Sequence, residues 1–186
     1  PPGAYTLDQF LVDAVGLMNA LALDKVHWVG ISTGGMIGQG LGIEHPDRII
    51  SLSLCNTTSR ADRAYKEFVA ERHRVVREGG MVPVWEMTDR RWFTDAFAEA
   101  ANADYQAVRK EFIRTSAQGY IGATSATAQL DYKEQLRLIT APTLVLGAGD
   151  DPATPPEHSR QIHERISGST LVILPGQRHF SNVEVP

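Results

Sequence analysis

Ser32, one of Asp150 and Asp151, and His179 have the types, order and settings for acyl transfer by a serine. Ser32 lies in Gly30-Ile31-Ser32-Thr33-Gly34-Gly35, a G-x-S-x-G pattern of the nucleophile-elbow kind. Asp150 and Asp151 follow one short apolar run, and His179 follows the last one. A serine hydroxyl needs a base to take its proton and an acid to hold that base in one tautomer. In elbow folds the three groups come in the order Ser, Asp or Glu, His, each on a loop after a parallel strand. Such loops share one edge of the sheet, so residues distant in sequence converge. Phosphate loops of the G-x-x-x-x-G-K-[ST] or G-x-G-x-x-G kind do not fit the register. His27, His45, His73, His158 and His163 follow no strand in the required place and read as surface or hydrogen-bonded histidines.

The elements that would position these groups are legible. Val26 to Ile31 is rich in β-branched and aromatic residues and predicts a buried strand. It turns directly into a helix from Met36 to about Glu44, whose N-terminus would face a developing oxyanion. Ser32 is expected to be strained, with Gly30 and Gly34 supplying the room for its turn. Upstream, Thr6 and Gln9 form a capping box, with Gln9 reaching back, for a helix through about Ala22. Its apolar positions are Phe10, Leu11, Ala14, Met18 and Leu21. His45-Pro46 ends the elbow helix, and Ile49 to Cys55 predicts a second strand closing in Asn56-Thr57-Thr58.

Residues 61–138 read as helix, with a turn at Gly79-Gly80 and breaks near Thr94 and Gly119. Such an insertion within an α/β pattern is expected to form a lid. Arg72, Arg74, Arg77, Arg90 and Arg91 cluster here, as do Trp85, Trp92, Phe93, Phe97, Phe112 and Tyr120. A solvated face is the ordinary use of such arginines; the aromatic residues could face inward over a pocket, though core filling is their commoner use. The alternation resumes with strands at 143–146 and 170–174 around a helix at 157–166, and Ser181-Asn182 would cap a further helix. The organisation expected is a first core part at 1–60, a helical cap at 61–138 and a second core part at 139–186.

The bulk numbers restrict the function class. The chain has 186 residues, 42% hydrophobic and 22% charged, with a net charge of −4. That is enough chain for one core with an insertion, and its acidity argues against a nucleic-acid surface. No run is long and apolar enough for a membrane span, and no signal-peptide pattern is visible at the start. Cys55 is the single cysteine, inside an apolar strand, so no intrachain disulfide forms and a reducing cytoplasm fits. No metal-ligand spacing is present among the histidines.

The chain resembles the α/β-hydrolases and, more narrowly, the 3-oxoadipate enol-lactonases. The matching stretches include Tyr5-Thr6-Leu7, Val29 to Gln39, His45-Pro46-Asp47-Arg48 and Leu54-Cys55-Asn56-Thr57. They continue in Arg91-Trp92-Phe93-Thr94, Gly119-Tyr120, Ala141 to Val145, Asp151 to Pro156 and His179 to Glu184. The elbow and triad stretches are superfamily-wide; the cap stretches and Asp-Pro-Ala-Thr-Pro-Pro point to the lactonases. The resemblance implies a parallel sheet with helices on both faces and a helical cap insertion. It implies a serine hydrolase, a β-ketoadipate-pathway lactonase of aromatic catabolism, acting on a small lactone or ester through an acyl-enzyme with no cofactor. It assigns Ser32 as nucleophile, His179 as base, Asp151 (the carboxylate immediately before the proline) as its orienter, and the Thr33 N–H as an oxyanion donor. Thr33 stands where methionine is usual, a departure that bears on pocket shape. Arg91, beside Trp92 in the cap, is the expected partner of the substrate carboxylate, because a guanidinium suits that anion. A general carboxylesterase or perhydrolase would use the same triad, and a non-catalytic ligand-binding protein of this fold is the third alternative.

The family's N-terminal strands have no counterpart here, and the chain opens with Pro1-Pro2-Gly3. The expectation is an N-terminally truncated fold whose strand at 26–31 lies at an open edge. A separate N-terminal segment or chain would then complete the sheet and supply the second oxyanion donor. Residues 1–186 alone would be poorly soluble and nearly inactive.

Overall fold

The computed structural model describes residues 5–186, so Pro1-Pro2-Gly3 lies outside the described residues. Four strands, β1 (Val26–Ile31), β2 (Ile49–Cys55), β3 (Thr143–Ala148) and β4 (Thr170–Leu174), form one parallel sheet in the order β1-β2-β3-β4. Parallel neighbours need crossovers. Between β1 and β2 this is α2 (Thr33–Glu44), and between β3 and β4 it is α9 (Pro156–Arg165). The first helix, α1 (Leu7–Ala20), precedes β1.

The register explains the main core. Trp28, Leu52 and Thr143 align across the strands, as do Gly30, Leu54 and Val145, so these residues share one face. Leu11 of α1, Leu41 of α2 and Ile162 of α9 pack there with Leu52, Leu54 and Val145. The opposite face carries Val29, 74% exposed, and Val172, 39% exposed. Among the described residues β1 pairs only with β2, so it is the edge strand. Its β-branched composition predicts burial, but with one lateral neighbour and an open rear face only Gly30 is buried.

From β2 to β3 the chain is helical. It runs through α3 (Arg63–Gly79), α4 (Met81–Glu86), α5 (Asp89–Trp92), α6 (Asp95–Ala100), α7 (Ala103–Arg114) and α8 (Ala117–Thr127), then a 3-10 turn at Gln135–Leu138. Its aromatic residues make a second core around Trp85, Phe93, Tyr105 and Phe112. The Trp85 and Phe112 centroids lie 5.3 Å apart, within the usual range for aromatic pairs. Leu136 and Ile139 return to the sheet and join the main core. No described helix is long and apolar enough to cross a membrane.

Several local expectations need correction. The Thr6 hydroxyl accepts from the Gln9 N–H as a cap, but the Gln9 side chain donates to Asp13 one turn on and does not reach back. Leu21 lies just past α1 and is 59% exposed. The break expected near Gly119 falls at Thr115-Ser116: α8 starts at Ala117, capped by the Ser116 hydroxyl on the Gly119 N–H, and runs through Gly119. β3 extends to Ala148, because Gly147 and Ala148 pair with Ile173 and Leu174. The last helix, α10 (Ser181–Glu184), starts after Phe180 with no side-chain cap.

Candidate active site

All four strands run parallel, so Ser32, Asn56, Asp151 and His179 follow strand ends at the same sheet edge. The Ser32 N–H donates to Cys55 O at 2.9 Å and the Asn56 N–H to Leu146 O at 2.8 Å, which fixes where the first two loops leave the sheet. Ser32 has φ 54° and ψ −116°, a left-handed setting that costs a non-glycine residue energy and needs support. The support comes from the end of β2, where the Thr57 hydroxyl donates to Ser32 O at 2.7 Å. Gln39 also donates to Gly35 O and Thr58 O, at 3.3 and 3.0 Å.

The glycines divide the work differently from the motif's expectation. A Cβ on Gly30 would lie 2.2 Å from Gly34 O, so the strand and the helix meet there with no space for a side chain. A Cβ on Gly34 would meet nothing within 4 Å. Gly35 is the second glycine that is sterically required, since its Cβ would come 2.7 Å from the Thr57 Cβ. The first helical bond of α2 runs from the Met36 N–H to Ser32 O. The Thr33 N–H, at the first helical position, therefore has no acceptor inside the helix. That leaves it available beside Ser32 as the expected oxyanion donor.

Asp151 and His179 form a buried pair, 2% and 3% exposed, with Oδ2 2.7 Å from Nδ1. The other carboxylate oxygen, Oδ1, accepts the N–H groups of Ala153 and Thr154 at 2.7 and 3.0 Å. The Thr154 hydroxyl donates to Oδ2 at 2.7 Å and lies 3.2 Å from His179 Nδ1. With Oδ1 committed to backbone donors, Oδ2 faces the imidazole and favours a proton on Nδ1, leaving Nε2 as the acceptor. Asp150 is exposed, and its N–H bonds Gln177 O as part of a turn. On the other side of His179, the Asn56 amide donates to His179 O at 2.7 Å and to the Ser181 hydroxyl at 3.0 Å. Asn56 is buried with φ 41°.

Ser32 and His179 line one cavity of about 630 Å³ together with Thr33, Met36, Phe68 and Trp92. No hydrogen bond joins Ser32 to His179 among the described residues. Nucleophile–base contacts in free enzymes are commonly long and tighten when substrate is bound. The cap forms the far wall. Here α3 and α8 are tied by Tyr65 OH to Thr127 Oγ1 at 2.8 Å and His73 Nε2 to Thr124 Oγ1 at 2.7 Å.

Two arginines reach this wall. Arg91, expected to hold a substrate carboxylate, donates to Pro152 O at 2.6 Å and lies 4.6 Å above the Phe68 ring. Arg72 is the deeper one. It donates to the Thr88 hydroxyl and sits 5.0 Å above Phe68 and 5.4 Å from the Tyr120 ring centroid. Its Nε–H and the neighbouring Tyr120 hydroxyl are both buried without a hydrogen bond of good geometry. Burial pulls the Arg72 pKa down from its ordinary value and pushes Tyr120 up to about 12, so both keep their protons at neutral pH. His158 also lines the cavity, and burial lowers its pKa. Trp92 lines the cavity too, stacked on Phe180 at 4.2 Å between centroids.

Sequence patterns gave Thr154, Arg72 and His158 no role in the site, and marked Asn56 only as a polar strand end and Tyr120 only as an aromatic that could face a pocket. The i, i+4 spacing of Phe68 and Arg72 on α3 carried a signal for Arg72, a shared helix face, and it did not reveal which way that face points. Among the described residues no cluster of His, Cys, Asp or Glu could hold a metal ion. Burial raises the Cys55 pKa, which keeps it a thiol.

Known proteins share this architecture. The 3-oxoadipate enol-lactonase 2 of Acinetobacter baylyi is 33% identical over 186 residues, covering 100% of this chain and 68% of that protein. The crystal structure of the enol-lactonase from Burkholderia xenovorans LB400 superposes with TM-score 0.94 at 32% identity, over 99% of this chain and 70% of that one. A thermophilic esterase from Thermogutta terrifontis gives TM-score 0.90 at 27% identity, over 99% and 69%. The family model described as alpha/beta hydrolase fold matches residues 1–186. A sheet whose strand ends bring Ser32, Asp151 and His179 to one edge has, in these relatives, a common ancestry to account for it: the chain belongs to the α/β-hydrolase family and is related to its enol-lactonases and esterases.

Proposed function

We propose that this chain is a serine hydrolase that opens a small anionic enol-lactone, 3-oxoadipate enol-lactone, through an acyl-enzyme. The observation that carries the reading is the buried Asp151–His179 pair, 2.7 Å apart, whose histidine lines one cavity with a strained Ser32. Ser32 Oγ attacks the lactone carbonyl while His179 Nε2 takes its proton, and Asp151 stabilises the imidazolium through Nδ1–H. The oxyanion that forms is held by the Thr33 N–H. The enolate oxygen leaves and takes the proton from His179, the enol so formed tautomerises to the ketone, and the acyl group stays on Ser32. Water activated by His179 then releases the acid.

The anionic substrate class rests on the wall opposite. A carboxylate placed there would accept from the Arg72 Nε–H and the Tyr120 hydroxyl, two donors now unsatisfied. Arg91 keeps four of its five N–H donors after its bond to Pro152 O and can add to the same field. The apolar lining by Met36, Phe68, Trp92 and Phe112 would also admit a neutral carboxylic ester, which supports carboxylesterase activity as the second reading.

The experiment compares kcat/KM for the anionic enol-lactone and for p-nitrophenyl acetate in Arg72→Met and Arg91→Ala. A hydrogen bond to a charged group contributes about 1.5–3 kcal/mol, so Arg72→Met should lose roughly 10- to 150-fold on the anion. The neutral ester should be nearly unaffected. Equal losses on both substrates would remove the anionic reading and leave the esterase.

A further inference from the structure

The loop that presents His179 is fastened to the cap on both sides of the histidine. On its N-terminal side, Arg178 donates to Arg90 O at 2.7 Å, Phe93 O at 2.9 Å and Asp95 Oδ1 at 3.0 Å. On its C-terminal side, the Phe180 N–H donates to Trp92 O at 2.9 Å, and the two rings stack with 11° between their planes. One helical turn further on, Glu184 accepts from the Thr94 N–H at 3.0 Å and from the Thr94 hydroxyl at 2.5 Å. Residues 90–95 of the cap therefore act as a splint along residues 178–184 of the sheet edge.

We propose that Glu184 is a positioning residue for His179: by clamping Thr94 it holds the cap segment against the histidine loop and so fixes where Nε2 points. The inference rests on the reading of Ser32, His179 and Asp151 as a triad and is independent of which ester or lactone is the substrate.

Arg178 and Glu184 both fasten residues 90–95, Arg178 through the Arg90 and Phe93 carbonyls and Glu184 through Thr94 alone. The Arg178–Asp95 pair is partly solvated, since the Asp95 side chain is 63% exposed, and solvated pairs contribute little. Phe180 holds the cap through a neutral hydrogen bond and a ring face. Glu184 instead brings the two oxygens of one side chain to two donors of one residue, the Thr94 N–H and hydroxyl, and so fixes Thr94 in both position and orientation. Without it, the carbonyl of Trp92 and its ring would be free to shift relative to Phe180. The Trp92 centroid is only 6.3 Å from that of His179. His179 is held at its ring Nδ1 by Asp151 and at its backbone carbonyl by Asn56. A shift of the loop would therefore appear as rotation of Nε2 away from Ser32, and misplacement of about 1 Å can cost on the order of 10²-fold.

The test uses Glu184→Ala, Glu184→Gln and Thr94→Val in the full-length protein. Functional sites are counted by titration with a fluorophosphonate, and kcat per titrated site is measured on p-nitrophenyl acetate. This small neutral ester requires the triad but no anchoring of a carboxylate. The expected result is a loss of about tenfold or more in kcat per site for Glu184→Ala, with KM changed by less than about twofold. Glu184→Gln can still accept from the Thr94 N–H and should stay within about threefold of the parent, with Thr94→Val between the two. A merely structural role would lower the number of titratable sites or the melting temperature and leave the rate per site intact. A Glu184→Ala rate per site within about twofold of the parent overturns the proposal, as does Glu184→Gln falling as far as Glu184→Ala. If Glu184→Ala does not accumulate folded, Thr94→Val decides alone: a clear loss per site supports the clamp, and an unchanged rate overturns it. A parent protein with no serine-dependent turnover would overturn the triad reading and this proposal together.

Discussion

Replacing Asp151 by Asn tests the site where its geometry is most constrained. The two carboxylate oxygens have separate duties. Oδ1 accepts two backbone N–H groups at 2.7 and 3.0 Å, and Oδ2 accepts from the Thr154 hydroxyl and faces His179 Nδ1, both at 2.7 Å. An asparagine there can turn only one way. Its carbonyl must take the Oδ1 position, since an NH₂ facing two N–H donors would leave all of them unpaired in a buried place. The amide nitrogen then occupies the Oδ2 position and donates to His179 Nδ1. That moves the imidazole proton to Nε2, toward Ser32, and the base is lost by tautomer while its position is kept. The corresponding change in a triad protease costs roughly 10⁴-fold, equivalent to about 5.5 kcal/mol of transition-state stabilisation. The assay is kcat per active site on p-nitrophenyl acetate, with circular dichroism showing that the fold is unchanged. Asp150→Asn, at an exposed turn position, should stay near the parent rate. A loss below about tenfold in Asp151→Asn, or a larger loss in Asp150→Asn, would refute the tautomer argument.

Two further predictions concern the elbow and the acid side of the pH range. Gly30→Ala should destabilise by more than the ~1–3 kcal/mol typical of overpacking, because its Cβ meets backbone that cannot move aside. Gly34→Ala should melt no lower than the parent, since its Cβ enters open space and alanine favours a helix by about 1 kcal/mol; thermal melts of the two variants in the reverse order would refute this. Burial holds the His158 pKa below its unfolded value, against the opposing charges of Asp62, Asp151 and Glu157. As pH falls through about 6.5 the unfolded chain therefore takes up a proton first, so stability declines from there toward the lower folded pKa. His158→Gln should flatten the melting temperature between about pH 7 and pH 5, and an unaltered slope would refute the assignment.

Sequence patterns revealed what is local. β-branched runs marked the four strands, and Gly79-Gly80 marked the end of α3, where Gly80 takes φ 73°. The strand-end placement of Ser32, Asp151 and His179 followed from the parallel α/β alternation, because all such loops leave the sheet at one edge. Burial in strands was harder to read. The composition of β1 says that its side chains suit an interior, but exposure of Val29 depends on what lies beside and behind the strand, which is a property of tertiary context. The cavity wall was the least legible part. Arg72 and Arg91 are the same residue type in the same helical region, and only the packing of α3 on α8 puts Arg72 deeper, with its Nε–H unpaired. Asn56 was visible as a polar strand end, but its bonds to His179 O and Ser181 join residues more than a hundred positions apart.

The central claim is that Ser32 is a nucleophile activated by His179. The direct measurement is intact-protein and peptide mass spectrometry of the full-length protein after reaction with a fluorophosphonate, alongside turnover of p-nitrophenyl acetate. The account predicts a single adduct on the peptide containing Ser32, abolished in Ser32→Ala together with all but a trace of turnover, and strongly slowed in His179→Ala. An adduct on another residue, or Ser32→Ala turning over near the parent rate, would contradict it.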